Sequence, residues 1–161
     1  MKRLTLMRGL SGSGKSERAR ELAAGTNAVV ISTDDYWFDD DGNYKFDYSK
    51  IGEAHDNARQ RAHDSMATEE PHVIIDNTNA RWWEMFPYLE LAREHDYSVE
   101  ILMVGGCGHE DITLYAARNI HNTPVEIIQR QAKNFELMMD PAAGYQLEKL
   151  RQQIEQTLKK G

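Results

Sequence analysis

The eight residues Gly9-Leu10-Ser11-Gly12-Ser13-Gly14-Lys15-Ser16 constrain this chain more than any other segment. They fit the pattern GxxxxGK[ST], the P-loop, at every required position. A short apolar run, Leu4-Thr5-Leu6-Met7, comes directly before them and reads as a buried strand. Lys15 to Ala24 then reads as a helix, with Ala19, Leu22 and Ala23 on one face and Gly25 as its C-cap. A backbone that wraps a polyphosphate must turn its N–H groups inward, and Gly supplies the conformations and the close approach. The N-terminus of the following helix adds partial positive charge at the same spot. The pattern therefore predicts a cradle of Gly9, Ser11, Gly12, Ser13 and Gly14. Lys15 is expected on the β- and γ-phosphates, and the Ser16 hydroxyl on Mg²⁺. ATP and Mg²⁺ are the expected ligands.

The rest of the chain repeats the strand-then-helix rhythm. Ala28-Val29-Val30-Ile31 predicts a second strand, and Tyr36 to Tyr48, rich in Asp and aromatics with a turn at Asp41-Gly42, predicts a loop. Ser49 is placed to cap a helix through about Ala67, with Ile51, Ala54, Ala58, Ala62 and Met66 inward. His72-Val73-Ile74-Ile75 is the third strand, followed by a helical region to about His95 that Pro87 either kinks or divides. Val99 to Val104 is the fourth. Thr123-Pro124-Val125-Glu126 has capping-box spacing with Pro at the first helical position, and Val125, Ile128, Ala132 and Phe135 mark an apolar side. Leu147, Leu150, Ile154 and Leu158 stripe a last amphipathic helix, about residues 145–160. Four continuous apolar strands alternating with helices argue for an α/β fold: a parallel four-stranded sheet flanked by helices.

Composition narrows the function classes. The 161 residues fit one domain, 1–161. Lys and Arg total 19 against 26 Asp and Glu, a formal −7, so a broad basic footprint for duplex nucleic acid or an anionic membrane is not expected. No apolar stretch is long enough to cross a bilayer, Met1-Lys2-Arg3 leads into no hydrophobic signal region, and the lone Cys107 suits a reducing, cytoplasmic setting. Cys107 with His109 lacks the further ligands a zinc site needs. The sequence leaves the oligomeric state open.

Ligands in open α/β sheets sit beyond the carboxyl ends of the strands. Asp34 and Asp35 end the second strand and Asp76 the third. A carboxylate there can accept a proton from an attacking hydroxyl, and another can hold Mg²⁺ or its waters, for which Asp76 is the candidate. Only one of the adjacent pair Asp34 and Asp35 is expected to face the phosphates. The structural alternative is that these Asp residues end strands and cap helices. Tyr36-Trp37-Phe38 offers rings that can stack on a base, the alternative being that they pack the loop onto the domain. Trp82 and Trp83 read as packing residues, since two adjacent helical positions cannot both face one ligand.

GLSGSGKS, STDDYW, VIIDNTN and ARNIHNTP together resemble the polynucleotide 5′-hydroxyl kinase branch of P-loop kinases, within it the small AAA-33-type domains. The resemblance covers Leu4 to about Phe135. It implies the P-loop NTPase fold with a helical lid, about residues 109–123, and transfer of the ATP γ-phosphate to a hydroxyl, foremost the 5′-hydroxyl of a polynucleotide. It also selects Asp34 as general base and Arg118 as the lid cation on the transferring phosphate. Asp35, Trp37, Asn77 and Asn79 complete the set expected beside the acceptor, and His121 is a further phosphate candidate. Three departures stand out: Trp37 replaces an Arg that holds the acceptor's own phosphate, Asn77 stands where the third strand's Asp is expected, and the lid is short. From Asp34 to Tyr48 there are six Asp and one Lys, and such a rim repels a long phosphate backbone. A hydroxylated base in DNA, a nucleoside or a small metabolite is therefore the alternative acceptor. A nucleotide-binding switch, which needs Lys15 and Ser16 but not Asp34, is the alternative from another class.

Overall fold

The computed structural model describes residues 1–118 and 123–136. Four parallel strands, β1 (Arg3–Arg8), β2 (Val29–Ile31), β3 (His72–Asp76) and β4 (Ser98–Met103), form one sheet in the order β2-β3-β1-β4. Among the described residues, five helices flank it: α1 (Lys15–Thr26), α2 (Ile51–Ala67), α3 (Trp82–Glu94), α4 (His109–Ala117) and α5 (Val125–Asn134). The central strands β1 and β3 are covered on both faces, which is why their sequences run apolar without alternation. Leu4, Leu6, Val73 and Ile75 meet Ala58, Ala62 and Met66 of α2 and Trp82, Met85, Tyr88 and Ala92 of α3. Met7 and Ile74, on the opposite face, meet Ala19, Leu22 and Ala23 of α1. The period of two places Asp76 on the same face as Ile74, toward α1, and the register sets it opposite Met7. A third cluster, Leu10, Tyr115 and Ile128 with Ile112, Ala132 and Phe135, fastens α4 and α5 against the start of the P-loop.

Several boundaries differ from the sequence reading. Gly25 lies inside α1, and the left-handed cap is Asn27 at φ 52°, a backbone that Asn tolerates. Asp47, not Ser49, opens the turn before α2: its Oδ1 accepts from the Ser49 N–H at 3.0 Å and from the Ser49 hydroxyl at 2.7 Å. The helix itself starts at Ile51. Pro87 stays within a single α3. Pro124, extended at ψ 143°, is the N-cap of α5 rather than its first helical residue. The segment from Tyr36 to Tyr48 is a loop, as expected, entered from a 3-10 turn, Thr33–Trp37, and folded back with Phe38 bridged to Tyr44. The expected C-terminal helix and His121 lie outside the described residues. Among the described residues, no helix is long and apolar enough to cross a membrane.

Candidate phosphate-transfer site

β1 delivers the chain into the cradle with both neighbouring strands holding it. The Gly9 N–H donates to the Thr78 carbonyl after β3 at 3.2 Å, and the Val104 N–H after β4 donates to the Arg8 carbonyl at 2.8 Å. Gly12 and Gly14 adopt φ 83° and 90°, left-handed backbone that strains any residue with a side chain. A Cβ at Gly12 would also lie 2.6 Å from the Tyr115 carbonyl, so two constraints fix this glycine. Gly14 caps α1, and the Arg18 N–H closes the first turn on the Gly14 carbonyl at 3.0 Å.

Lys15 and Ser16 open α1, so both stand at the positive end of the helix. Lys15 Nζ lies 3.3 Å from Asp76 Oδ1, with both side chains largely buried. Among the described residues that oxygen has no hydrogen-bond partner beyond this ion pair, and the buried Ser13 Oγ has none. Unmatched buried polar atoms in a cradle of backbone donors mark a place where a polar ligand completes the bonding. The donor set also suits Mg²⁺, which keeps most of its waters and takes one or two protein oxygens beside substrate phosphates. Ser16 Oγ and the Asp76 carboxylate are such oxygens.

Arg118 after α4 and Gln131 of α5 both reach the P-loop. Arg118, the C-cap of α4, donates from Nε to the Gly12 carbonyl at 2.8 Å, and its guanidinium lies 5.4 Å from the centre of the Tyr115 ring. Gln131 of α5 grips Ser11 twice: its Oε1 accepts from the Ser11 N–H at 3.1 Å and its Nε2 donates to Ser11 Oγ at 3.0 Å. Sequence reasoning missed Gln131, which stands beside the apolar stripe of α5 and carries no motif.

Arg8 was missed as well. Fully buried at the end of β1, it donates to the carbonyls of Asn79 (2.8 Å), Ala80 (2.9 Å) and Glu136 (2.7 Å). Its guanidinium is sandwiched between Trp82 and Phe135, 4.7 and 4.5 Å from the ring centres. Burial lowers its pKa from the ordinary arginine value, opposed by the Glu136 carboxylate. A charged residue closing an apolar strand was the only available signal. Through Arg8 the sheet holds both the segment after β3 and the chain leaving α5. Trp82 therefore packs inward, while Trp83 stays 61% exposed.

At the end of β2 the two adjacent Asp residues are both exposed. Asp35 turns back as a cap, its Oδ2 accepting from the Ser32 N–H at 3.1 Å and pairing with Arg61 Nη1 at 2.8 Å. Asp34 is exposed, one position nearer the strand, and its carboxylate raises the pKa of the Tyr44 phenol, second to the effect of burial. Four residues expected beside the acceptor have other roles in the fold. Trp37 is only 4% exposed, its ring against Tyr36 and Phe46, because the fold-back of the loop closes over it; it presents no stacking face. Asn79 is buried at φ 46°, donating from its side chain to the Met7 carbonyl at 2.8 Å, and serves the backbone. Asn77 Oδ1 accepts from the Thr33 N–H at 2.9 Å, tying the end of β3 to the turn that carries Asp34. Asp35 likewise is a capping and pairing residue.

Comparison with known proteins identifies the family and the fold. Residues 4–138 match the AAA_33 family (AAA domain). Human NEDD4-binding protein 2 is 39% identical over 134 residues, 83% of this chain but 8% of that protein's length. A chain of the Pnkp1/Rnl/Hen1 RNA repair complex superposes with a TM-score of 0.68 at 18% identity, covering 92% of this chain and 46% of that one. A gluconokinase from Sinorhizobium meliloti 1021 gives 0.56 at 17% identity over 86% of this chain and 78% of its own. At these identities the two structures show the shared fold.

Proposed function

We propose that this chain, which belongs to the AAA_33 family of P-loop kinases, transfers the ATP γ-phosphate to a hydroxyl, foremost the 5′-hydroxyl of a polynucleotide. The observation that carries the reading is the convergence on one cradle of Lys15, Asp76 and Arg118, from three separate elements. Lys15 holds the β- and γ-phosphates, and the backbone N–H groups of the loop bind their oxygens. Ser16 and Asp76 are the residues that would hold Mg²⁺, which supplies charge neutralisation at those phosphates. Asp34 accepts the proton of the acceptor hydroxyl as its oxygen bonds to the γ-phosphorus and the bond to the β-phosphate oxygen breaks, releasing ADP. Arg118, already seated on Gly12, meets charge developing on the transferred group. Likeness to a protein of an RNA repair complex supports the polynucleotide acceptor.

One observation favours a different acceptor with the same chemistry. The Asp-rich loop beside Asp34 keeps an acidic character even though Lys45 pairs with Asp39 at 2.8 Å and Arg61 with Asp35. Such a rim suits an uncharged hydroxyl compound, a nucleoside or a small metabolite. Transfer of labelled γ-phosphate from ATP to oligonucleotides, DNA with hydroxylated bases, nucleosides and metabolites separates the readings. Labelling of 5′-hydroxyl oligonucleotides is expected. Labelling confined to small molecules or to modified bases overturns the polynucleotide acceptor, and nucleotide binding without transfer overturns the kinase.

A further inference from the structure

We propose that the outer edge of the loop after β2, where Phe38 and Tyr44 face each other, seats the terminal nucleobase of the acceptor, which enters with its uncharged 5′-nucleoside leading. The inference rests on the polynucleotide reading above and deepens it. Phe38 and Tyr44 are 46% and 44% exposed, unlike Trp37 beneath them. Their ring centres are 5.3 Å apart at 66°, an edge-to-face pair, which covers less ring face than parallel stacking does. The edge is built rather than loose. Lys45 N–H donates to the Trp37 carbonyl at 2.7 Å and Asp39 N–H to the Asn43 carbonyl at 3.0 Å. The Asp39 carboxylate gathers the turn, accepting from the Asp41 and Asn43 N–H groups at 3.0 and 2.9 Å and pairing with Lys45. Two aromatic residues held in place lose little entropy on binding, which makes them efficient stacking partners.

Position and charge together name the occupant. Phe38 caps the turn that carries Asp34, the proposed general base, and the Asp34 carboxylate acts electrostatically on the Tyr44 phenol. The same loop carries Asp39, Asp40, Asp41 and Asp47, a concentration of negative charge that disfavours phosphate at this edge. A chain ending in a 5′-hydroxyl presents a neutral sugar and a flat base there, and its first phosphate lies on the far side of that sugar. An aromatic base meets both conditions, an apolar face and no charge.

The test compares steady-state transfer to two 5′-hydroxyl oligonucleotides, one ending in an ordinary thymidine and one in an abasic deoxyribose analogue. In the parent the abasic end should raise KM about 10- to 100-fold, the value of one stacked base. In the double variant Phe38→Leu/Tyr44→Leu, which keeps apolar bulk, the two acceptors should differ less than about 3-fold while ATP affinity is retained. Should the double variant fail to fold, the single variants Phe38→Leu and Tyr44→Leu carry the comparison, each expected to shrink the ratio. Equal KM values in the parent, or an undiminished ratio in the variants, overturn the platform while leaving the 5′-hydroxyl reading intact. Absence of transfer to either oligonucleotide overturns that reading, and the platform with it.

Discussion

Lys15 Nζ rests 3.3 Å from Asp76 Oδ1, a pair made across the cradle between the first turn of α1 and the end of β3. Both side chains are largely enclosed, and the carboxylate positions the ammonium toward the cradle. Lys15→Met should therefore lower kcat about 10²- to 10³-fold with the fold unchanged, as expected for removing one charge from the transferring phosphate. Asp76→Asn should weaken the Mg²⁺ dependence of transfer, read as a higher Mg²⁺ concentration for half-maximal rate. A parental rate in folded Lys15→Met would remove the P-loop from the mechanism.

The capping and ion-pairing role of Asp35 predicts different outcomes for substitutions at Asp34 and at Asp35. Asp34→Asn keeps the shape but cannot accept a proton, and should slow transfer about 10²- to 10⁴-fold with little change in ATP affinity. Asp35→Asn loosens the Ser32 cap and the pair with Arg61, so its effect should be a modest loss of thermal stability. If Asp35→Asn is the inactive variant, the assignment of the base at this strand end is wrong.

Arg118 is expected to act on the transition state more than on ground-state binding. Arg118→Ala should depress kcat by about 10³-fold while the ATP dissociation constant moves only a few-fold. Arg118→Lys should rescue poorly, because Lys lacks the planar fork that engages two phosphate oxygens. Single-turnover transfer measured beside equilibrium nucleotide binding separates the effects. Equal losses in binding and rate would make Arg118 a simple nucleotide ligand.

His72 predicts a pH response at the opposite end of the sheet. It is buried, with Nε2 at 2.8 Å from Thr5 Oγ1 and Nδ1 at 2.7 Å from Thr26 Oγ1; Arg3 and Glu100 are the charged groups that act on it. Burial first, then Arg3, lowers its pKa against the opposing pull of Glu100. An unfolded chain takes up this proton near pH 6.5, while the folded chain resists until lower pH. The unfolded state thus binds more protons as pH falls below about 6.5, and stability drops. Urea midpoints at pH 7.5 and 5.5 should separate more in the parent than in His72→Gln. An equal separation would show that His72 does not contribute.

Much of the architecture was legible because it is written locally. Continuous apolar strands, the Gly-rich turn and the Ala54/Ala58/Ala62/Met66 face of α2 each follow from short-range pattern, and all appear in the fold. What the sequence hid depends on contacts distant in the chain. Gln131 reaches Ser11 across 120 positions, and Arg8 reaches the Glu136 carbonyl across 128, with no spacing rule to announce either. Trp37 and Phe38 are adjacent aromatics that pattern alone could not rank. The fold-back set by Asp39 turns one inward and leaves the other outward.

The central claim is transfer to a 5′-hydroxyl with Asp34 as base. It is tested most directly by single-turnover reaction of labelled ATP with one oligonucleotide, prepared with either a 5′-hydroxyl or a 5′-phosphate. The account predicts label at the 5′-hydroxyl end only, with the rate reduced about 10²-fold or more in Asp34→Asn. Label on the 5′-phosphorylated strand, no label on the hydroxyl strand, or an Asp34→Asn variant at the parental rate would contradict it.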